Sequence, residues 1–310
     1  MIRIGTRGSA LALFQARSVQ KGLLDLGLEA ELVVVHTSGD KHQSGPIVNL
    51  GAVGVFTKEI QRALLEERID LAVHSMKDLP TEPVPGLAVA AVPPREDVRD
   101  CLVLRRGESI DSLAPGAVIG SGSLRRRCQL LNRFGDRYRI EDIRGNVETR
   151  LKKLDAGDYD AVVLAVAGLT RLGFGRRICP DLIFDPGEFL PAVGQGALAI
   201  EARLGDAAFE AAALLNDPCQ YARAAAERAF LAALKGGCIA PIGAYSLCRE
   251  DRLTLRGRVL SLDGTQSFDA EETASAREAQ DLGARLARRL LEEGASELIG
   301  EWTRLRTGKR

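Results

Sequence analysis

Residues 117–134 have the sequence AVIGSGSLRRRCQLLNRF. The first four residues predict a short buried strand that ends at Gly120, because they are small or apolar. A small polar turn, residues 121–123, comes next, and the pattern from Ser123 to Phe134 predicts a helix. A strand that leads through a short turn into a helix is the repeating unit of α/β folds, so this stretch predicts that fold class.

The same alternation of elements continues on both sides of this stretch. Helices are predicted at residues 9–26, 56–68, 147–156 and near Gly168. Further strands are predicted at residues 2–5, 31–37, 71–74, 87–92, 138–143, 161–166 and 197–201. At 310 residues the chain is too long for one ordinary core, so these elements are expected to form more than one unit.

Two segments mark crossings between such units. Pro93-Pro94 leads from the first unit into the second, and the segment 190–196, rich in Gly and Pro, leads back, so that the strand at 197–201 rejoins the first sheet. We expect three domains, which comprise residues 1–94 with 195–215, residues 95–194, and residues 216–310.

The last of these domains has a different pattern. One helix is predicted at 217–234, then antiparallel strands within 244–261, then a second helix at 276–293. Strands and helices that are segregated along the chain in this way are typical of an α+β domain.

Composition excludes several classes of function. The formal net charge is zero and aromatic residues make up 5% of the chain, which argues against a nucleic-acid-binding protein. The six cysteines and three histidines show no metal-ligand spacing, so no zinc site is expected. A signal peptide and a long apolar run are both missing from the sequence pattern, and we therefore expect a cytoplasmic protein with free thiols.

Basic residues are concentrated in one part of this neutral chain. Residues 121–153 contain ten Lys or Arg against four acidic residues. Ser123, Arg125 and Arg126 follow one predicted strand, and Arg144 follows the next. The carboxyl ends of parallel strands, beside helix N-termini, form the usual ligand crevice of open α/β sheets, so these residues predict an anion site.

The first unit repeats this arrangement, because Arg7 and Ser9 follow its first strand. Lys77 and Asp78 come directly after another strand of the same unit, and Asp78 is a candidate to exchange a proton or to stabilise a developing cation. By contrast, we interpret four further basic residues as solvated surface charges: Arg133, Arg137, Lys152 and Lys153.

The segment 235–243 places Cys238 on a short glycine-hinged turn between a predicted helix and a predicted strand. Small neighbours allow a bulky group to approach the thiol, so Cys238 is a candidate point of covalent attachment. Two other interpretations remain: a solute-binding protein with two α/β lobes that close on an anion, and a hydrolase with a cysteine nucleophile. The second lacks an evident Cys–His pair.

Several separate blocks of this sequence resemble the porphobilinogen deaminase family of tetrapyrrole biosynthesis, also called hydroxymethylbilane synthases. The resemblance runs nearly from end to end. The matching blocks are residues 4–9, 56–60, 72–80, 120–129, 143–151, 164–172, 190–197 and 236–243.

The resemblance implies two α/β lobes like those of periplasmic binding proteins, with the active-site cleft between them, and a C-terminal α+β domain. It implies a monomeric transferase that deaminates porphobilinogen and joins four molecules head to tail into hydroxymethylbilane, which is released by hydrolysis. It further implies that a thioether links Cys238 to a dipyrromethane cofactor and that Asp78 is the catalytic carboxylate. The carboxylates of cofactor, substrate and growing chain would be bound by Arg7, Ser9, Lys58, Lys77, Ser123, Arg125, Arg126, Arg144, Arg150, Arg171 and Gln195.

This chemistry agrees with the residues. Each porphobilinogen carries two carboxylates, which suits a basic site, and loss of ammonia from it leaves a cation that a carboxylate such as Asp78 can stabilise. The sequence departs from the family pattern in two places. Val53 stands where a lysine is usual, and Gly122 stands where a serine is frequent.

Overall fold

The computed structural model describes residues 1–36, 57–107, 109–235 and 240–307. These residues form two α/β lobes and a C-terminal α+β domain, as the sequence predicts. The strands are β1 (Ile2–Thr6), β2 (Ala30–Val34), β3 (Leu71–Ser75), β4 (Leu87–Ala91), β5 (Asp100–Leu104), β6 (Val118–Gly120), β7 (Arg139–Glu141), β8 (Ala161–Ala165), β9 (Leu198–Arg203), β10 (Ile242–Arg249), β11 (Arg252–Leu260) and β12 (Ser267–Ser275). The α-helices are α1 (Ala10–Asp25), α2 (Lys58–Leu65), α3 (Leu124–Phe134), α4 (Val147–Ala156), α5 (Val166–Arg171), α6 (Ala207–Ala213), α7 (Pro218–Ala233), α8 (Ala279–Leu290) and α9 (Ser296–Thr307).

The first lobe is built on a five-stranded sheet of order β2-β1-β3-β9-β4. β1 runs parallel to β2 and β3, whereas β9 runs antiparallel to β3 and β4. Successive residues of β3 point to opposite faces: Leu71 and Val73 pack against the α1 side, and Ala72 packs against the α2 side. Since β9 joins this sheet after the whole second lobe has been completed, the predicted return of the chain is confirmed.

The second lobe has a four-stranded sheet of order β5-β8-β6-β7. β6 runs parallel to β7 and β8, and β5 runs antiparallel to β8. Both faces of β5 are covered, because all of its residues are buried. In both lobes the parallel strands place their carboxyl ends at one edge, where the candidate site residues lie.

The C-terminal domain has an antiparallel sheet of order β10-β11-β12. α7 and α8 pack against it around a core that contains the fully buried Phe230 and Trp302. The predicted helix at 276–293 is observed in a modified form, since α8 ends at Leu290 and a wider turn over residues 291–295 leads into α9. Within the described residues, no helix is long and apolar enough to cross a membrane.

Candidate active site

The turn after β3 carries Lys77 and Asp78. Its first residue, Met76, is buried, whereas Asp78 is exposed and Lys77 is half-buried. Arg228 of α7 secures the far side of this turn, because its guanidinium donates to the backbone oxygens of Leu79 at 2.9 Å and Pro80 at 2.6 Å. The C-terminal domain thus fixes the position from which the Asp78 carboxylate reaches solvent.

The junction after β6 carries the second group of predicted residues. Ser123 is the N-cap of α3 and accepts a hydrogen bond from the backbone nitrogen of Arg126 at 3.5 Å. Arg125 and Arg126 are 4% and 6% exposed, so they are held inside the lobe and are not surface charges.

Both guanidinium groups pair with one carboxylate, that of the fully buried Asp100 at the start of β5. Asp100 Oδ1 lies 2.7 Å from an Nη atom of Arg126, and Oδ2 lies 2.8 Å from an Nη atom of Arg125. Burial alone would raise the pKa of Asp100, but the two guanidinium groups outweigh burial and hold that pKa well below its usual range. We refer to these three side chains as the Asp100 knot.

Gln195 belongs to the same network. Its side-chain amide donates to Asp100 Oδ1 at 2.9 Å and to the backbone oxygen of Val98 at 2.8 Å. Its own Oε1 is buried and has no partner within the described residues. Gln195 therefore holds the segment that leads back to the first lobe against the second lobe.

Arg144 and Arg150 lie at the next strand–helix junction. Asn146 is the N-cap of α4, and the Arg150 Nε donates to the backbone oxygen of Gly145 at 2.9 Å. Burial and the nearby charges of Arg126 and Arg144 lower the pKa of Arg150 to about 10. Because no acidic side chain pairs with Arg150 within the described part of the chain, this cationic group favours an external anion.

Charged residues of both lobes surround Lys77. Burial lowers the pKa of Lys77 to about 8, with Asp78 acting to raise it and Arg126 to lower it further. Asp100 and Arg125 also act on the pKa of Lys77, so the charges of the Asp100 knot lie within electrostatic reach of Lys77. The geometry brings together a carboxylate and several cations that come from distant parts of the sequence.

The other predicted residues lie around this centre. Ser9 caps α1 and accepts from the backbone nitrogen of Ala12 at 3.4 Å, and Arg7 is half-buried beside it. Lys58 is exposed at the start of α2. Arg171 donates to the backbone oxygen of Gly196 at 2.7 Å, and burial lowers its pKa.

Two predictions concern positions outside the described residues, namely Cys238 and Val53. The structure does describe Gly122. A Cβ atom there would lie 2.6 Å from the backbone oxygen of Ile143, so a serine would require the backbone to move. Among the described residues no group of three or more His, Cys, Asp or Glu could hold a metal ion.

Sequence reasoning missed Asp100. It follows the charged segment 95–99, which resembles a solvated loop, and β5 was not predicted. The apolar run Cys101–Leu104 after it was the available signal, since an acid at the start of a buried strand requires a cationic partner.

Solved structures similar to this chain include solute-binding proteins. The methionine-binding protein MetQ is 13% identical with a TM-score of 0.46, over 69% of this chain and 89% of that chain. Immunogenic lipoprotein A from Vibrio vulnificus is 14% identical with a TM-score of 0.41, over 72% of this chain and 98% of that chain.

Sequence comparisons give much greater similarity. Family models described as the porphobilinogen deaminase dipyromethane cofactor binding domain and the porphobilinogen deaminase C-terminal domain match residues 2–211 and 221–292. Porphobilinogen deaminase of Syntrophobacter fumaroxidans is 45% identical over 97% of both chains. That of Thermus thermophilus is 46% identical over 97% of this chain and 99% of its own. With similarity of this kind over nearly its whole length, the chain belongs to the porphobilinogen deaminase family.

Proposed function

We propose that this protein is a hydroxymethylbilane synthase, which deaminates porphobilinogen and joins four molecules of it into a linear tetrapyrrole. One observation carries the proposal: Lys77, next to the exposed Asp78 of the first lobe, lies within electrostatic reach of the buried Arg125 and Arg126 of the second. The substrate brings two carboxylates into the site with every added unit, and a cation such as Arg150, which pairs with no acidic side chain within the described residues, can bind them.

The surroundings of Arg150 support the binding of a polyanionic cofactor. Its lowered pKa, about 10, reflects burial beside Arg126 and Arg144, and an external carboxylate would relieve this repulsion. When bound through Cys238, the dipyrromethane supplies the covalently held primer to which substrate units are added. Arg144, Arg150 and Lys77 would hold its carboxylates, whereas Arg125 and Arg126 keep donors engaged by Asp100.

Asp78 performs the charge-stabilising part of the reaction. Its carboxylate is exposed on a turn that is held by buried Met76 on one side and by Arg228 on the other. Departure of ammonia from the substrate leaves a cation, and a preorganised carboxylate stabilises that charge without having to rearrange. The same carboxylate can accept the proton lost when the new carbon–carbon bond forms.

Several further features belong to the proposal. We place the enzyme in the cytoplasm as a monomer without a nucleic-acid partner. The five described cysteines are all free thiols, which supports a reducing compartment.

Replacing Asp78 tests the assigned role. Asp78→Asn keeps the volume and removes the charge, so we expect porphobilinogen turnover to fall by a factor on the order of 10²–10³. Asp78→Glu keeps the charge in poorer geometry and should retain more activity than the Asn variant. Asp158→Asn, at an exposed turn after α4, is the matched control and should turn over substrate like the wild type.

The measurement is the steady-state turnover of porphobilinogen, with the adduct mass checked in each variant. Because Asp78 is not the attachment point, every variant should keep an adduct on Cys238. Wild-type activity of Asp78→Asn, or a Glu variant less active than the Asn variant, would show that Asp78 does not stabilise the cation.

A further inference from the structure

Two cysteines that the proposed reaction does not use lie side by side in the C-terminal domain. Cys219 is in the first turn of α7, and Cys248 is near the end of β10. The Cys219 Sγ donates to the backbone oxygen of Cys248 at 3.3 Å, and the Cys248 side chain is close enough to act on the pKa of the same thiol. The two elements thus bring together thiols that are far apart in sequence.

Reagents from solution can reach this pair. Both cysteines are half-buried and free, and both line an open cavity of about 580 Å³ whose wall also includes Tyr221 and Asp251. Cys101 and Cys128 are free thiols as well, but they are 0% exposed and do not line this cavity. Exposure therefore directs oxidation to the pair and away from these core thiols.

We propose that Cys219 and Cys248 form a reversible disulfide and constitute a thiol redox site that responds to hydrogen peroxide. The inference rests on the packing of α7 against β10 and does not depend on the chemistry assigned to Cys238 or Asp78. It adds a covalent modification site in a domain whose proposed role is to carry the cofactor cysteine.

The surroundings of the two thiols indicate which of them reacts first with peroxide. Burial and the Cys248 side chain raise the pKa of the Cys219 thiol to about 12, and the nearby Asp217 carboxylate acts in the same direction. Cys219 is therefore protonated when the peroxide arrives. The Cys219 Sγ is also held by the Cys248 backbone oxygen at 3.3 Å, whereas the Cys248 Sγ has only a longer contact, 3.7 Å, with the backbone oxygen of Glu250. We therefore assign the first attack to Cys248 and the resolution of the intermediate to Cys219.

In the first step the Cys248 thiolate attacks one peroxide oxygen. The O–O bond breaks, hydroxide leaves and takes up a proton to become water, and Cys248 becomes a sulfenic acid. In the second step the Cys219 sulfur loses its proton and attacks the Cys248 sulfur, and the S–O bond breaks to release a second water. The two thiols together lose two electrons, and the peroxide is reduced to water.

The product would tie the first turn of α7 to the end of β10. In the chain, residues 219 and 248 lie on either side of Cys238, so the disulfide closes a covalent loop that contains this cysteine. It would restrict separation of α7 from β10 without altering Cys238 itself.

Peptide mapping of the oxidised holoprotein tests the proposal. Purified protein is reduced, freed of reductant, treated with hydrogen peroxide, alkylated and digested with trypsin. Cleavage at Arg203, Arg223, Lys235 and Arg249 places the two cysteines on peptides 204–223 and 236–249. The expected product is a linked species about 2 Da lighter than the sum of the reduced peptides, which dithiothreitol returns to its parts.

Peptide 236–249 also contains Cys238, so a second digestion is needed. Chymotrypsin cleaves after Tyr245 and separates Cys238 from Cys248. The link should remain with residues 246–249. It should be absent from Cys219→Ser and from Cys248→Ser, and it should persist in Cys179→Ser, the control for a half-exposed cysteine elsewhere.

Two results would overturn the inference. One is wild-type protein in which Cys219 and Cys248 are alkylated or singly over-oxidised and no linked peptide forms. The other is a link from Cys219 to any cysteine except Cys248. Since the wild type itself gives the decisive result, a poorly folded variant cannot obscure it.

Discussion

Arg126 and Arg150 are both predicted to bind carboxylates, but their surroundings differ. Arg126 donates twice to Asp100 and once to the backbone oxygen of Val163 at 3.0 Å, so its donors are satisfied inside the lobe. Arg150 is partly buried, and no acidic side chain pairs with it in the described part of the chain. The first is therefore a structural cation that also shapes the site, and the second is available to a ligand.

This difference predicts opposite effects of two similar substitutions. Arg126→Leu should lower the free energy of unfolding by about 3–5 kcal/mol, because it leaves part of the buried Asp100 charge uncompensated. Arg150→Leu should change that free energy little and should impair the addition of substrate units. Urea denaturation and porphobilinogen turnover measure the two effects, and an Arg150→Leu protein with normal turnover would remove Arg150 from the site.

The pairing of Asp100 with the arginines could not be predicted from the sequence. The arginines were found because they follow predicted strands, and their placement at one edge was correct. Their partner was not found, because β5 pairs with β8 across a separation of about 60 residues in the chain. An ion pair between distant segments depends on the sheet order, which one sequence does not specify.

At the scale of helices and strands, local patterns predicted most of the α/β elements. α1, α3, α4 and α7 begin at or within one residue of the predicted positions, because each has a recognisable capping residue. The elements that were missed are β5, β12, the short α6 and α9, which follow charged or Gly-rich segments. Their conformation is set by packing more than by local propensity.

The packing of α8 on α7 provides a test at this scale. A Cβ atom on Gly283 would lie 2.2 Å from the backbone oxygen of Ala226, so a side chain there must push the two helices apart. We expect Gly283→Ala to lower the free energy of unfolding by about 1–3 kcal/mol.

Gly300→Ala in α9 is the control for this substitution. The nearest atom to its Cβ is the flexible end of Arg304, at 3.8 Å. Alanine favours the helix there, so the control should be neutral or more stable by about 0.5–1 kcal/mol. Equal stability changes for the two variants, measured by thermal and urea denaturation, would contradict the close packing of α7 and α8.

Across the whole molecule, one buried carboxylate ties the C-terminal domain to the two segments where the chain crosses between the lobes. Glu227 of α7 is 0% exposed and accepts from two Nη atoms of Arg95, at 2.8 and 3.0 Å. It also accepts from the Gly194 backbone nitrogen at 2.7 Å. We propose that the boundaries between the domains lie near residues 94, 194 and 215, which places Glu227 against both crossings.

The charge of Glu227 should stabilise the fold at neutral pH and lose this stabilising effect in acid. Burial opposes ionisation, but Arg95, together with Arg223 and Ser246, outweighs it and lowers the pKa below the usual 4.5. A lowered carboxyl pKa stabilises the fold above pH 4.5, and this contribution disappears as the pH falls through the lowered value.

We therefore expect Glu227→Gln to cost about 3–5 kcal/mol at pH 7. The difference from the wild type should shrink as the pH falls below about 4.5, as followed by urea denaturation over a pH series. Glu293→Gln breaks only an exposed pair with Arg289, whose side chains are 42% and 49% accessible, and should cost about 0.5 kcal/mol or less. A pH-independent loss in Glu227→Gln would contradict the charge-based role.

The central claim is that this chain carries a dipyrromethane on Cys238 and extends it with porphobilinogen. Intact-mass spectrometry of the purified protein, followed by peptide mapping, tests it most directly. The account predicts a mass above that of the chain by two linked pyrrole units, located on the peptide 236–249, and a Cys238→Ser protein without the added mass and nearly without activity. An unmodified wild-type chain that turns over porphobilinogen at full rate would contradict it.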